Sequence, residues 1–413
     1  MPVGGFRWLR EEEIALLDIV SLDDLSRDGY VFEVDLDVPD AVHDRHNDFP
    51  MAPENLTIDK TMLSPFQKKF PEDQQKPSQK LAPNLLPKRN YITHYRNLKF
   101  YLKEGLVLKK IHRVLKFTQD PWLAGYIDHN TQMRARSKSN FEKDFYKLMN
   151  NASYGKTNEN LRNRINVEVI NKREIGLKRA AKPTLKRSYT INENLVVMES
   201  FITNLNLNKP VYIGFTVLEL SKLWMYQFHY EKMTKWFNKI ELAFMDTDSF
   251  LYQIEGDIYK IMKEHENDFD FSDYPYDHPC YNKKNKKVLG KFKDEMMSLT
   301  LEEFIGLRPK SYSLKFRGKI KNNKIEHMDS MEKQTAKGTK MAVKKRFLRH
   351  SHFRDALFNL ESIYIKQNTL LSREHVIGTY HQKRVSLTAF DTKRWILDDG
   401  LHTLAYGHFR TMN

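Results

Sequence analysis

Phe244-Met245-Asp246-Thr247-Asp248-Ser249-Phe250 is the stretch on which the reading of this chain turns. Apolar residues flank two carboxylates set one residue apart, so 240–254 reads as two strands joined at 246–249. In a strand, side chains at i and i+2 share a face. Asp246 and Asp248 would then point to one spot and repel each other unless a cation lies between them. Ligands that are all oxygen suit Mg²⁺ or Mn²⁺, which usually also bind substrate phosphates. Asp favours turns on its own account, so a metal-free acidic hairpin is the plain alternative. A phosphatase-like Asp-x-Asp nucleophile is a third, but it wants a series of parallel strands downstream that the sequence does not offer.

A second segment, Phe141 to Gly155 (FEKDFYKLMNNASYG), reads as part of a helix over 139–160. At about 100° per residue, Phe141, Phe145, Leu148 and Ala152 stack on one narrow face, the expected anchor. Lys143, Lys147, Asn151 and Tyr154 gather broadly opposite. Two cations, an amide and an aromatic ring in one line are what a nucleotide-binding helix needs: charge for a triphosphate and a ring for base or sugar. An amphipathic helix with a wet polar face would show the same pattern. Gly155-Lys156-Thr157 is not a phosphate loop, because Asn150 stands where its first Gly is required and the triplet ends a helix rather than following a strand;.

The rest of the 413 residues sets these two elements in a basic, folded chain. Hydrophobic residues make up 40% and aromatics 12%, enough for two or three packed substructures. Lys and Arg outnumber Asp and Glu by 68 to 53, a net charge of +15. Residues 1–60 hold 5 basic and 15 acidic side chains, which leaves 63 against 38 in the remainder. A basic body points to a polyanionic partner. The single cysteine, Cys280, rules out an intrachain disulfide and a cysteine-based zinc site;. Neither a signal peptide nor a transit peptide is recognisable at the start, and no apolar run nears the ~20 residues that span a bilayer. The expectation is an intracellular protein without a membrane partner, in nucleus or cytoplasm.

Along the chain, 59–88 is rich in Pro, Gln and Lys and reads as an irregular arm. Alternation over 105–117 predicts a strand, and Asp120-Pro121 a helix start. The stretch 172–187 reads as an exposed basic loop, and 282–293 as a Lys-rich connection. Residues 216–237 predict a helix with Val217, Leu220, Trp224 and Phe228 on one side. His43 and His46, near Asp44 and Asp48, read as surface histidines rather than a metal site.

Taken together, the motifs resemble family B DNA polymerases. Lys147-Leu-Met-Asn-Asn151-Ala-Ser-Tyr154-Gly155 is similar to the K-x-x-x-N-S-x-Y-G fingers motif, with Ala152 where Ser is usual. Asp246-Thr247-Asp248-Ser249 is similar to the D-T-D-S palm motif, and Lys310-Ser311-Tyr312 to K-x-Y. The stretches GYVFEVDLDVPDAVHDRHNDFPMAPE, GFTVLELSKLWMYQFHY, LGKFKDE, DTKRWILDDG and LAYGH look like protein-primed polymerases of Maverick/Polinton-type transposons and related viruses. The resemblance implies an α+β right-hand fold with an incomplete palm, helical fingers and a thumb. It implies Asp246 and Asp248 as ligands of catalytic Mg²⁺ or Mn²⁺. Lys147, Asn151, Tyr154 and Gly155 would form the nucleotide pocket, and Lys310 and Tyr312 would hold the primer end. The implied partners are a DNA primer-template, dNTPs and a terminal priming protein, whose handling falls by position to the arm before Tyr91.

The expected division is an insertion-like segment at 1–90, fingers at 91–165, palm at 166–345 with its basic insertion near 170–190, and a thumb-like region at 346–413. One family element is missing. The first catalytic Asp, in a D-x-x-S-L-Y-P-like motif, belongs just upstream of Pro2-Val-Gly-Gly-Phe-Arg-Trp-Leu9, so the chain reads as truncated at its front and without an exonuclease domain. Asp35, with Asp37 just beyond it, follows a strand pattern, but the Leu-Tyr pair is absent there and both are poor substitutes. The expectation is a polymerase fragment of weak or no activity alone; the alternatives are a non-catalytic nucleic-acid-binding remnant and, third, the phosphatase.

Overall fold

Burial alternates along Asp28–Asp37, with Phe32, Val34 and Leu36 wholly inaccessible, and this strand lies inside an antiparallel sheet. The structure, a computed structural model, describes residues 1–321 and 324–411. The sheet runs Pro2–Trp8, Val107–Gln119, Asp28–Asp37, Lys88–His94, so the strand expected at 105–117 is present. Helices Tyr95–Lys103 and Val211–Gln227 contribute Leu98, Tyr101, Leu223 and Tyr226 to the core with Phe32, Val34 and Leu36.

The helix Val211–Gln227 does not bury the face expected of it. Trp224 is half exposed and its Nε1 donates to Gly290 O at 3.2 Å. The buried line is Thr216, Glu219, Leu223 and Tyr226. The Glu219 carboxylate accepts from Thr93 Oγ1 at 3.0 Å and from His94 N at 3.2 Å, and pairs with Lys222. A buried carboxylate that is hydrogen-bonded in this way ties the helix to the sheet, and no count of apolar residues could have revealed it. The chain then passes through a π-helical turn, Phe228–Met233, which delivers Phe228 to a second core with Phe269, Phe271, Tyr274 and Cys280.

Residues 54–88 have little regular structure over 59–77, as the reading of 59–88 as an irregular arm expects, but they are packed against the rest of the chain. They hold the hairpin Glu54–Ile58 and Ser78–Ala82, and Ile58, Leu63, Phe66 and Phe70 share a third core with Ile305, Leu307, Phe353, Phe390 and Ile396. Front and end of the chain are thus packed together around the hairpin Thr300–Arg308 and Ser311–Lys321. The basic stretch 172–187 is not a loop. It forms helix Arg173–Ala180 and begins strand Leu185–Asn192 of a five-stranded sheet completed by Ile363–Arg373, Val376–Leu387, Leu195–Phe201 and Ile165–Ile170. The helix passes Ile170 and Met198 at Gly176, and Arg179 pairs with Glu168 at 2.8 Å. The Lys-rich stretch 282–293 has neither helix nor strand, as expected. Among the described residues, no helix is long and apolar enough to cross a membrane.

His43 and His46 are buried rather than at the surface, with 2% and 0% exposure. His43 Nε2 lies 3.0 Å from Val38 O, and its Nδ1 accepts from Phe409 N at 3.1 Å. Among the described residues no hydrogen-bond partner meets either ring nitrogen of His46 or of His94, and burial pushes their pKa values down to about 4 and about 3. Such a histidine stays neutral in the folded chain at pH values where the unfolded chain takes up a proton. Stability is therefore full above about pH 6.5, the ordinary histidine value, and falls as the pH drops toward 4. Melting temperatures measured between about pH 7 and 4.5 should fall steeply in the wild type and less steeply in His46→Leu. Equal slopes would count against the buried, neutral ring.

Candidate active site: the carboxylate hairpin and the lysine turn

Strands Ile240–Asp246 and Ser249–Ile254 pair in register, with Asp246 opposite Ser249, so Thr247 and Asp248 are the two loop residues. The strand rule that put both carboxylates on one face does not apply across such a turn; the loop itself carries them at one tip. Asp248 N donates to Asp246 O at 2.6 Å, Ser249 Oγ to the same oxygen at 3.2 Å, and Thr247 Oγ1 to Asp246 Oδ1 at 3.2 Å. Thr247 sits at φ +58°. That conformation is unusual for a β-branched residue, and such strain of about 1–3 kcal/mol persists only where the surroundings impose it.

A second hairpin meets this tip. Arg308 pairs with Ser311, which leaves Pro309 and Lys310 as its loop, and Lys310 is also held at positive φ, +60°. Pro followed by a residue at positive φ is the requirement of a type II turn, normally met by Gly or Asn at the second position. Lys310 Nζ donates to both carboxylate oxygens of Asp246, at 2.8 and 2.6 Å. Below the ion pair, the Tyr312 ring packs on Phe244 with centroids 4.8 Å apart, and Phe304 lies 6.1 Å from both rings. Four of the residues singled out in the sequence, Asp246, Asp248, Lys310 and Tyr312, are therefore in one place. Lys337 N donates to Lys310 O at 2.9 Å and steadies the turn from a neighbouring segment. The three motifs do not include Arg308, whose charge and that of Asp391, the first residue of DTKRWILDDG, act on each other. Burial holds the Arg308 pKa below, and the Asp391 pKa above, the ordinary values.

The lysine-bearing helix runs Asn140–Gly155, started by Ser139, whose side chain accepts from Glu142 N at 3.2 Å while Glu142 caps Ser139 N. Its apolar face does not anchor it. Phe141, Phe145 and Leu148 are 80%, 46% and 63% exposed, and Ala152 is exposed as well. The helix is fastened on the side away from that face, where Asn150 lies about 180° round the axis from Phe141. There Asn150 Nδ2 donates to Thr131 Oγ1 at 3.2 Å and Met149 O accepts from Tyr126 OH at 3.4 Å, both on helix Ala124–Arg136. Lys147, Asn151 and Gly155 are exposed and Tyr154 half-buried. Among the described residues, no hydrogen bond or ion pair joins these four to the hairpin tip.

Two carboxylates at a tip give an oxygen-only donor set. Mg²⁺ commonly takes one or two protein carboxylates and fills its shell with water and substrate phosphate, so Asp246 and Asp248 fit such an ion. No group of three or more potential metal-ligating side chains occurs among the described residues. Asp35 accepts from Asn90 N and pairs with His112, both at 2.8 Å, and Asp37 pairs with Arg89 at 3.0 Å and Lys109 at 3.5 Å. Both carboxylates are thus occupied within the N-terminal sheet.

Residues 48–232 match the family described as DNA polymerase type B, organellar and viral. Over these residues the chain is similar to the organellar and viral type B DNA polymerases. Solved structures agree at the level of the fold. One is phi29 DNA polymerase complexed with primer-template DNA and incoming nucleotide substrates, at TM-score 0.50 and 13% identity over 94% of this chain and 54% of that one. Another is the orthorhombic crystal form of phi29 DNA polymerase, also at 0.50 and 13%, over 89% and 52%. The α+β right-hand fold of the polymerases is thereby shared, and this chain spans about half the length of the polymerases it matches. No curated protein sequence matches it.

The ion pair has a consequence for metal binding. Lys310 holds both oxygens of Asp246, and a divalent ion at Asp246 needs at least one of them. In Lys310→Gln the competitor is gone, so Mn²⁺ should bind several-fold more tightly, as read by electron paramagnetic resonance of free Mn²⁺. An unchanged or weaker affinity would show that the lysine does not contest that carboxylate.

Proposed function

We propose that this chain is the polymerising portion of a protein-primed, template-directed DNA polymerase. It would transfer nucleotides from dNTPs to a primer 3′-hydroxyl on a DNA primer-template. The observation that carries the reading is the contact of Lys310 with Asp246, which joins two family motifs 64 residues apart at one hairpin tip. Asp246 and Asp248 would hold Mg²⁺ or Mn²⁺. The bound ions would make the 3′-hydroxyl a better nucleophile and neutralise the pyrophosphate that leaves. The chain's own groups position the reactants. Lys147, exposed on its helix, offers a cation to the triphosphate, Asn151 and Tyr154 border the nucleotide, and Gly155 keeps the helix end open. Lys310 and Tyr312 would hold the primer end. Holding two reactants in line contributes several kcal/mol to such a transfer.

The likeness to Maverick/Polinton-type elements rests on the sequence stretches, and a terminal priming protein is the partner that it suggests. The domain roles follow the same reading: the two-helix projection Ala124–Arg136 and Asn140–Gly155 as fingers, the two hairpins as palm, and the C-terminal sheet as thumb. A nucleus or cytoplasm fits a DNA substrate.

Two features favour the second reading, a DNA-binding remnant without chemistry. The site holds two carboxylates rather than three, and Lys310 occupies one of them. Primer extension with Mg²⁺ or Mn²⁺ separates the readings. A polymerase extends the primer, and Asp246→Asn with Asp248→Asn lowers the rate by about a thousandfold or more while primer-template affinity stays within a few-fold. Binding without extension in the wild type supports the remnant. Hydrolysis of small phosphate esters without a template would replace both with the phosphatase.

A further inference from the structure

We infer that His350 is a positioning residue for the turn that carries Lys310 and Tyr312, acting from the far face of the sheet through a buried Glu303–His350–Ser313 chain. The inference deepens the polymerase reading, and its kinetic consequence rests on that reading. His350 opens helix His350–Phe358 and is 4% exposed. Its polar groups go to three different strands. Nδ1 lies 2.8 Å from Ser313 Oγ on Ser311–Lys321, and Nε2 lies 2.9 Å from Glu303 Oε2 on Thr300–Arg308. Its backbone N–H donates to Glu332 Oε2, on Lys324–Ala336, at 2.9 Å. One residue thus holds all three strands of the sheet. Arg354, one turn further on, pairs with the other oxygen of Glu303. Phe353 and Ala356 of the same helix lie wholly buried in the core that contains Ile305 and Leu307.

Side chains alternate across a strand. Glu303 and Ser313 face the helix, whereas their neighbours Phe304 and Tyr312 face the Phe244 ring of the carboxylate hairpin. A carboxylate only accepts, so Nε2 of His350 carries a proton, and Nδ1 of the neutral ring takes the Ser313 hydroxyl hydrogen. Serine, histidine and carboxylate in that order have the connectivity of an acyl-transfer triad. Ser313 is wholly inaccessible, however, so no substrate reaches its oxygen. What the chain can supply is geometry. A buried network with its bonds made fixes one arrangement of its members. Here the member Ser313 adjoins Tyr312 and lies in the strand that begins directly after Lys310. A shift of Ser313 would carry both residues with it. The turn needs such support, because Lys310 sits at positive φ without being a glycine, and that conformation persists only where the surroundings impose it.

The test compares the full chain with His350→Phe, which keeps a ring and loses both side-chain bonds, and with His350→Gln, which keeps a donor for Glu303. Electron paramagnetic resonance of free Mn²⁺ reads the turn without any polymerase chemistry. With Lys310 no longer held on Asp246, His350→Phe should bind Mn²⁺ several-fold more tightly, as Lys310→Gln should. The two substitutions together should do no more than Lys310→Gln alone, because they act through one contact. In primer extension, His350→Phe should lower kcat about tenfold and leave the dNTP KM within about twofold, with His350→Gln recovering most of the loss. If His350→Phe melts as an unfolded chain, Ser313→Ala, which removes a single bond, takes its place with the same directions of change. A folded variant with wild-type Mn²⁺ affinity overturns the proposal, as do effects on that affinity that simply multiply in the double variant. An unchanged kcat, in a chain whose wild type extends primers, overturns it as well. A wild type that extends no primer brings down the polymerase reading instead, and the Mn²⁺ comparison still decides whether His350 places the turn.

Discussion

The Lys310 ammonium on the Asp246 carboxylate is the contact around which the candidate site is arranged. As an ion pair it is modest. Lys310 is about half exposed, and pairs of that kind contribute roughly 0–1 kcal/mol. Each of the two turns that present it is held at positive φ by a residue other than glycine, at a cost of about 1–3 kcal/mol apiece. The pair therefore cannot be what holds the turns. Packing beneath them does: the Phe244, Phe304 and Tyr312 rings join the two hairpins, and each hairpin is rooted in a separate core. The charge contact is the result of that rigidity, and it is what chemistry can use.

The same logic runs outward through the fold. Phe228 and Phe250 fix the carboxylate hairpin to the second core, and Glu219 locks the preceding helix to the N-terminal sheet. Ile305 and Leu307 root the lysine hairpin in the third core, which the front of the chain completes with Phe66 and Phe70. Residues far apart in sequence thus hold the tip from two directions. The lysine-bearing helix is the exception. Its fastening to Ala124–Arg136 is polar and narrow, and its apolar stripe is exposed.

What the sequence disclosed was local. The hairpin at Asp246, the strand near Val114 and the helix at Lys147 each follow from spacing that a few neighbouring residues determine. The fingers-like motif at 147–155 lies within the family match over 48–232, while the other two motifs lie beyond it. What stayed hidden depends on distant partners. Trp224 stood in the apolar line of its helix, and nothing local showed that Glu219 would be buried with hydrogen bonds from Thr93 and His94. Phe141, Phe145 and Leu148 have the spacing of an anchor, yet periodicity does not say whether a partner is there. Gln67, in a stretch rich in Pro, Gln and Lys, gave no sign that it would lie fully buried under the C-terminal loop. His43 and His46 were misjudged for the same reason.

Anomalous diffraction from crystals grown with Mn²⁺ and a primer-template tests the account most directly. Manganese should appear at Asp246 and Asp248, with the Lys310 ammonium moved off the carboxylate and turned toward the primer strand. Manganese bound elsewhere, or Lys310 still seated on Asp246 with DNA in place, would contradict it.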